Sequence, residues 1–502
     1  MEAWSSLMGG FAAAISPLNL LFALIGCIAG TIVGVLPGLG PTAAIAMLLP
    51  LAALLDPAPA IIMMAAIYYG AMYGGSTTSI LVNIPGEASS VPTAIEGYQL
   101  TLQGRAGPAL AISAISSFLA GTLGVVGLTF FAPLLARAAL AFGPPEYFML
   151  TMLGLSLVIS LSGKALGKGL LAALFGLLTA VVGMDPLTGV ARLTFDINVL
   201  MGGIEFVPVI MGLFAISEVL INVEKQTKYI LEGKKIEWMP TWQDIKDTYG
   251  AMIRSGILGF FFGLIPGCSP AVTSFLVYDM ERRFSKHPEK FGHGALDAVA
   301  AVEGSNNATA QGGFVPLFSL GIPSGPALAV LMGGFMMYGL QPGPRLMQEQ
   351  PHLVWTIIAS MYIGNFMLLV LNLPLVGIWA RMALVPFPIL GALIVAFTLI
   401  GAYSLRYSFF DLWMALLFGV VGYLMRKLDF PVAPMVLAAV LAKLMETSLI
   451  QSLVLSKGSP FIFLIRPISI AFMILIIVSL VSGIWLQKRA QAKKVELEES
   501  EA

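Results

Sequence analysis

The chain of 502 residues is 58% hydrophobic, only 11% charged and formally neutral, with a mean hydropathy of +0.90. Soluble domains carry about 25% charged residues, so these figures exclude a soluble globular protein and indicate a polytopic membrane protein. The balanced charge gives no case for a nucleic-acid partner, and three histidines with two cysteines exclude a disulfide framework and argue against a rich metal site.

Taken in order, residues 1–17 are a short lead-in. It does not read as a cleaved signal, because no Lys or Arg precedes Arg105 and a signal needs a positive n-region. An apolar helix over 18–36 breaks at Pro37-Gly38-Leu39-Gly40-Pro41. Thr42 starts a second segment that runs to about residue 55. Residues 56–59 are a turn. A helix over 60–73 leads into the hydroxyl cluster Ser76-Thr77-Thr78-Ser79, followed by Asn83-Ile84-Pro85-Gly86-Glu87. A polar stretch ends at Arg105-Ala106-Gly107-Pro108. Apolar segments over 109–136, 146–162, 166–183 and 199–222 complete an N-terminal membrane repeat, 1–222. Residues 223–248 read as a soluble connecting loop.

The second half, 249–486, replays the first. Gly30-x-x-x-Gly34-x-x-Pro37-Gly38-x-x-Pro41 answers Gly259-x-x-x-Gly263-x-x-Pro266-Gly267-x-x-Pro270. Gly74-Gly75…Ile84-Pro85 and Gly312-Gly313…Ile322-Pro323 share one internal spacing. Further apolar segments occupy 352–380, 383–403, 408–424, 431–450 and 460–486, and 487–502 is a polar tail. The expected fold is an all-α polytopic membrane protein of two inverted repeats with broken helices and hairpin-like segments, about 10–12 transmembrane segments. The turn after the first break lacks Lys and Arg, whereas its counterpart carries Arg282, Arg283, Lys286 and Lys290. Positive loops stay inside, so 55–59 should face out and 281–293 the cytoplasm. Arg105 and Arg345 weigh against this, since both corresponding loops hold one positive residue.

Broken backbone at membrane depth is tolerated only where protein or a watery cavity satisfies it. Paired breaks in two halves point to a transporter site. The helix starts near Thr42 and Ala271 expose N–H groups that suit an anion. Ser76, Thr77, Asn83 and Ser324 add neutral donors, and Gly38, Gly40, Pro41, Pro85, Gly86 and Pro323 bring the backbone close. The competing reading for the hydroxyls is that they bond back to their own helix. No Lys, Arg or His occurs in these motifs, so a bound anion needs a cation beside it. Carbonyls of Gly38, Leu39, Gly40, Gly267, Cys268 and Ser269, with Glu303, Asn306 and Asn307, are the candidate cation ligands. Glu303 lies in an apolar helix, where an acid is a functional candidate by default; Glu87 and Asp279 read as nearer water. No phosphate loop, metal-ligand spacing or nucleophile–base pair is present, so no catalytic residue and no cofactor are expected.

Pro37-Gly38-Leu39-Gly40-Pro41-Thr42, Asn83-Ile84-Pro85-Gly86, Asn306-Asn307, Leu320-Gly321-Ile322-Pro323 and Gly339-Leu340-Gln341-Pro342-Gly343-Pro344 together resemble the TctA family. This is the large membrane subunit of the tripartite tricarboxylate transporters. The likeness covers nearly the whole chain. It departs at Cys268-Ser269-Pro270, where the family usually shows small residues such as Ala and Gly. The resemblance implies secondary import of a small carboxylate such as citrate across a bacterial inner membrane, by symport with sodium or protons. It also implies two partners, a small TctB-like membrane subunit and a periplasmic TctC-like binding protein. An anion channel and an intramembrane enzyme acting on a lipid-linked anion are the alternatives. The enzyme would need clustered acids with a metal, or basic residues for phosphate.

Overall fold

A computed structural model describes residues 2–36, 39–161, 166–185, 189–224, 239–382 and 387–483. Pro37 and Gly38 of the first break, much of the connecting loop and the polar tail lie outside the described residues. The described chain is helical apart from one two-stranded ribbon pairing Gly183–Met184 with Ala191–Arg192. Among the described residues, six helices are long and apolar enough to cross a membrane: Pro17–Val35, Ala106–Ala139, Phe206–Glu224, Pro351–Asn372, Phe409–Lys427 and Val432–Leu455. Pro41–Ala52 and Pro326–Met337 are shorter apolar helices, the one following the first break and the other the residues 321–325.

The core consists of two crossing helices. The first, Pro57–Val82, is buried at every position from Pro59 to Ile80. The second, Leu296–Gly312, is buried from Ala298 onward and resumes after Gly313 as Phe314–Leu320. A helix buried on every side has no polar face to show, and these two carry their Ser, Thr, Asn and Gln inward against protein.

Each crossing helix packs in parallel on the helix that precedes its repeat's break. A Cβ on Gly30 would stand 2.5 Å from the Ile67 carbonyl oxygen, and one on Gly259 would stand 2.5 Å from that of Ser305. Gly34 meets the Ala71 carbonyl, and Gly263 the Thr309 carbonyl. Gly74 meets Thr31, and Gly312 meets Phe260. The helices before the breaks correspond at one constant offset and the crossing helices at a second, so each paired segment repeats residue by residue. Only glycine permits this approach of backbone to backbone.

Parallel packing has a consequence for the chain path. Pro17–Val35 and Pro57–Val82 run the same way, so Pro41–Ala52 between them runs back. Helix, break and returning helix thus form a re-entrant hairpin, with Leu36, Leu39 and Gly40 the described residues of its tip. Trp242–Gly263 and Pro270–Phe284 form the second hairpin, with its tip at 264–269. The Trp242–Gly263 helix begins with a capping box between Thr241 and Asp244, inside the stretch read as connecting loop.

Both crossing helices end alike. Asn83 (φ 58°) and Gly321 (φ 73°) are left-handed caps, and the N–H groups of Ile84 and Ile322 reach back to the carbonyls of Thr78 and Pro316. This is the double-turn closure that glycine or asparagine permits. The chain then dips back, over 83–90 and 321–325, before the arm helices Val91–Leu102 and Pro326–Met337 leave.

The repeats are inverted. The first arm ends against the second hairpin's loop, where Gln103 Nε2 donates to the His293 carbonyl at 2.8 Å. The second arm ends against the first hairpin's loop, where the Tyr338 hydroxyl donates to the carbonyls of Leu55, at 3.0 Å, and of Ala52. The next helices, Ala106–Ala139 and Pro351–Asn372, cross antiparallel: Asn365 Nδ2 donates to the Phe118 carbonyl at 2.9 Å, and Tyr362 meets Thr129 at 2.8 Å. The loops at 52–56 and 285–295 therefore lie at opposite ends of the molecule.

Gly30→Val and Gly259→Val should each cost about 2 kcal/mol or more by overpacking against backbone. Gly9→Val, whose Cβ meets nothing within 4 Å, should leave thermal unfolding in detergent unchanged. Equal midpoints for all three variants would refute glycine-mediated helix contact.

Candidate functional site

The two hairpin tips and the two dips meet at one cavity of about 500 Å³, within the range of small-molecule sites. Gly40, Pro41 and Thr42 come from the first tip, and Ser269, Pro270 and Ala271 from the second. Pro85 to Ser89 come from the first dip, and Gly325 to Ala327 from the second. Tyr68 and Met72 of the first crossing helix form part of the wall, as do Val91 and Glu218.

Four helices begin on this wall, at Pro41, Pro270, Pro326 and Val91. Three of them have Pro at the first turn after an extended N-cap residue, Gly40, Ser269 or Gly325, and none of these three is capped by a side-chain hydrogen bond. Proline suits the first helical position because the N–H it lacks would have no partner there. The N–H groups that follow stay free to meet an anion. The fourth start differs. A 3-10 turn, Ala88–Ser90, precedes it, and a capping box between Glu87 and Ser90 closes that turn. The carboxylate of Glu87 thus sits at a positive helix end.

Backbone contacts fix the tips. Gly267 has φ 91°, a conformation open to glycine, and its N–H donates to the Ser324 carbonyl at 2.9 Å. A Cβ on Gly86 would collide with the Gly34 carbonyl, so the first dip lies directly on the first hairpin. A smaller cavity of about 170 Å³ adjoins the second tip and shares Ser269, Gly325 and Pro326 with the main one.

Among the described residues, no Lys, Arg or His lines the main cavity. Of its two acids, Glu218 is paired with Arg426. Glu87 has no basic partner among the described residues; Ser89 Oγ donates to its Oε1.

Of the residues expected to hold substrate, Gly40, Pro41, Thr42, Pro85, Gly86 and Ala271 line this cavity. Pro323 lines the smaller one. Ser324 is buried with its carbonyl engaged by Gly267. Ser76 and Thr77 lie inside the crossing helix and off the cavity wall, and Ser76 Oγ donates to the Tyr73 carbonyl at 2.8 Å. Asn83 is the exposed helix cap. Gly38 lies outside the described residues.

Of the residues expected to hold a cation, Gly40 and Ser269 are on the main wall, and Gly267 is on the smaller one. Leu39 and Cys268 are buried. Glu303, Asn306 and Asn307 are fully buried behind the first dip, and Asn306 Nδ2 reaches Ser89 Oγ at 3.4 Å. Sequence reasoning set Glu87 aside as near water, and it did not single out Tyr68 or Glu218. The available signal for Glu87 was its place immediately after Pro85-Gly86, an acid inside the very break that recurs in both halves.

Residues 20–437 match the family model described as "Tripartite tricarboxylate transporter TctA family". The chain is 42% identical over 502 residues to an Agrobacterium vitis protein described as "Uncharacterized 52.8 kDa protein in TAR-I ttuC' 3'region", covering 99% of this chain and 100% of the relative. A second Agrobacterium vitis protein, "Uncharacterized protein in TAR-II ttuC' 3'region", is 38% identical over 241 residues, covering 48% of this chain and 100% of the relative. No solved structure matches.

Ala271→Phe places a ring in the cavity from a helix start. It should abolish substrate binding while the thermal midpoint stays within about a degree or two of the parent, since the site is a void and not core. Retained binding in a folded variant would show that the ligand sits elsewhere.

Proposed function

The chain belongs to the tripartite tricarboxylate transporter TctA family, and from this membership and its inter-repeat cavity we propose that it is a secondary active importer of small carboxylates. Family membership makes it a multi-pass membrane component of a tricarboxylate transporter. The observation that carries the finer reading is the convergence of four helix starts on one cavity without a basic side chain. Substrate carboxylates are received by the free N–H groups near Thr42 and Ala271. A co-bound cation, sodium or a proton, offsets their charge, because neutral donors alone hold a di- or trianion at low dielectric only at large cost. Sodium would use tip carbonyls at Gly40 and Ser269, with Asn306 or Asn307 supplying side-chain oxygen. Each ion then raises the affinity of the other by the same factor. Inverted repeats around a central site suit alternating exposure by movement of one unit against the rest.

The partners we propose are a small TctB-like subunit and a periplasmic TctC-like binding protein, in a bacterial inner membrane. The loop at 285–295 faces the cytoplasm. That end gathers Arg282, Arg283, Lys286 and Lys290. Arg105, paired there with Asp244 at 2.5 Å, adds to them. The opposite loop, 53–56, has no Lys or Arg, although Arg345 follows the second arm near that end.

In proteoliposomes holding all three components, uptake of labelled citrate and other di- and tricarboxylates should require the binding protein and a sodium or proton gradient. Asn306→Ala should weaken cation dependence by roughly tenfold with little loss of thermal stability. Saturating, gradient-driven uptake without the binding protein would remove the tripartite reading, and flux that never saturates would favour a channel. Single cysteines at Ser285 and Leu54 should label from opposite faces, Ser285 from the cytoplasm. Labelling with the sides exchanged would reverse the orientation.

A further inference from the structure

Among the described residues, the buried acids Glu96, Glu146, Glu281, Glu303 and Asp411 and the half-buried Glu87 differ in what faces them. Glu146, Glu281 and Asp411 each face an arginine: Arg466, Arg254 and Arg406. Glu96 has no arginine, but the backbone N–H groups of Gly292, Gly294 and Ala295 and the Tyr278 hydroxyl all donate to it. Among the described residues, Glu87 and Glu303 have neither an arginine nor such a nest.

Glu303 is fully buried and accepts from the Thr93 hydroxyl and from Asn306 Nδ2, the latter at 3.2 Å. Asn306 Nδ2 also lies 3.4 Å from Ser89 Oγ, and Ser89 Oγ donates to Glu87. One chain of side chains therefore runs from a buried carboxylate to a carboxylate on the cavity wall, linked by a hydroxyl and an amide. At its inner end Asn307 Nδ2 donates to Asn306 Oδ1 at 2.8 Å and to the Glu303 carbonyl at 3.1 Å. The Asn307 Oδ1 is left buried with no partner, an acceptor that a cation would satisfy. Two carboxylates and an orphaned oxygen, with no positive side chain, form an arrangement that lacks one component.

We propose that Glu87 is the cavity end of a monovalent-cation site continued by Ser89, Asn306 and Glu303, and that filling it admits the substrate carboxylate. This rests on the carboxylate-importer reading. The shared chemistry is a single positive charge, either a proton on the carboxylate pair or a sodium ion among its oxygens. An ionised Glu87 would repel a carboxylate in the same cavity. The neutralised site leaves the helix starts to act on the substrate unopposed. The other titratable groups around Glu87 are Tyr68 on the crossing helix, Glu303 behind Ser89, and Glu218 with its partner Arg426. The hairpin residues on the wall, Thr42, Ser269 and Ala271, carry none.

The test uses the purified full-length protein in detergent and needs no knowledge of the substrate. Equilibrium binding of radioactive sodium and pH-difference infrared spectra of carboxyl groups are measured on the parent, Glu87→Gln and Ser89→Ala, with thermal unfolding as the check on folding. Glu87→Gln should lose, by roughly tenfold or more, either sodium binding or a titrating carboxyl band; which signal is lost identifies the ion. Ser89→Ala keeps both carboxylates but cuts the link, and should weaken the same signal several-fold. It also carries the test if Glu87→Gln does not fold. A parent without either signal, or folded variants that keep both at parental strength, would overturn the proposal. Intact ion binding in a parent that imports no carboxylate with its partners would instead overturn the transport reading and leave the ion site standing.

Discussion

Backbone groups released from a helix within a membrane must find partners inside the protein, and the form of both repeats follows from that constraint. A break at Gly34–Pro41 or Gly263–Pro270 is tolerable only if other backbone lies close enough to enclose it. The glycine rows supply that closeness. Gly30 and Gly34 lie on the carbonyls of Ile67 and Ala71, and Gly259 and Gly263 lie on those of Ser305 and Thr309. With each hairpin held against its crossing helix, the dips at 83–90 and 321–325 can return to the tips. There Gly86 rests on Gly34, and Ser324 receives the N–H of Gly267. The cavity lies where the tips and dips of both repeats meet.

Symmetry builds the scaffold, and departures from symmetry supply its chemistry. Asn83 and Gly321 occupy equivalent left-handed caps, and Ile84-Pro85 matches Ile322-Pro323. The halves diverge directly after: the first dip has Gly86 and Glu87 where the second has Ser324 and Gly325. The second crossing helix carries Glu303, Asn306 and Asn307, and the equivalent turns of the first carry Ala65, Tyr68 and Tyr69. Acid and amide from one repeat therefore meet acid and hydroxyl from the other across the interface. The polar chain exists only when both halves are assembled.

Much of this was legible from residue order alone. The duplicated Gly-x-x-x-Gly-x-x-Pro-Gly pattern located both tips, and the spacing to Ile-Pro located both dips. The charge contrast between the two hairpin loops signalled inversion. Chain direction at a break was less legible. Proline and glycine mark where a helix stops, but whether the next one continues or returns is decided by the packing of the crossing helix, which is long-range. The hydroxyl cluster at 76–79 looked like a binding surface. Ser76 and Ser79 instead donate to the carbonyls of Tyr73 and Gly75, the back-bonding that lets a hydroxyl sit inside a helix. Asn83 attracted notice as an amide, and the structure uses it as a helix cap. Glu87 was passed over because polar neighbours on both sides suggested a loop in water. Its place directly after Pro85-Gly86, in a break that recurs in both halves, was the one local sign that this loop is a dip returning to the centre of the protein.

Charge balance in the cavity ties these features to function. A helix start carries roughly half a positive charge, so four of them come to about two charges, enough to oppose a dicarboxylate. An ionised Glu87 cancels about one of these, and it does so at the 3-10 turn it caps, directly before the helix start at Val91. Two like charges 4 Å apart repel by about 4 kcal/mol at an effective dielectric of 20, close to a thousandfold in affinity. On the proposed reading, such a cavity is a poor anion site when Glu87 is bare and a good one when a cation neutralises it. Strict interdependence of anion and cation needs such an antagonist on the wall. A lysine or arginine in place of Glu87 would bind the anion more firmly, but would leave no reason for the cation to travel with it.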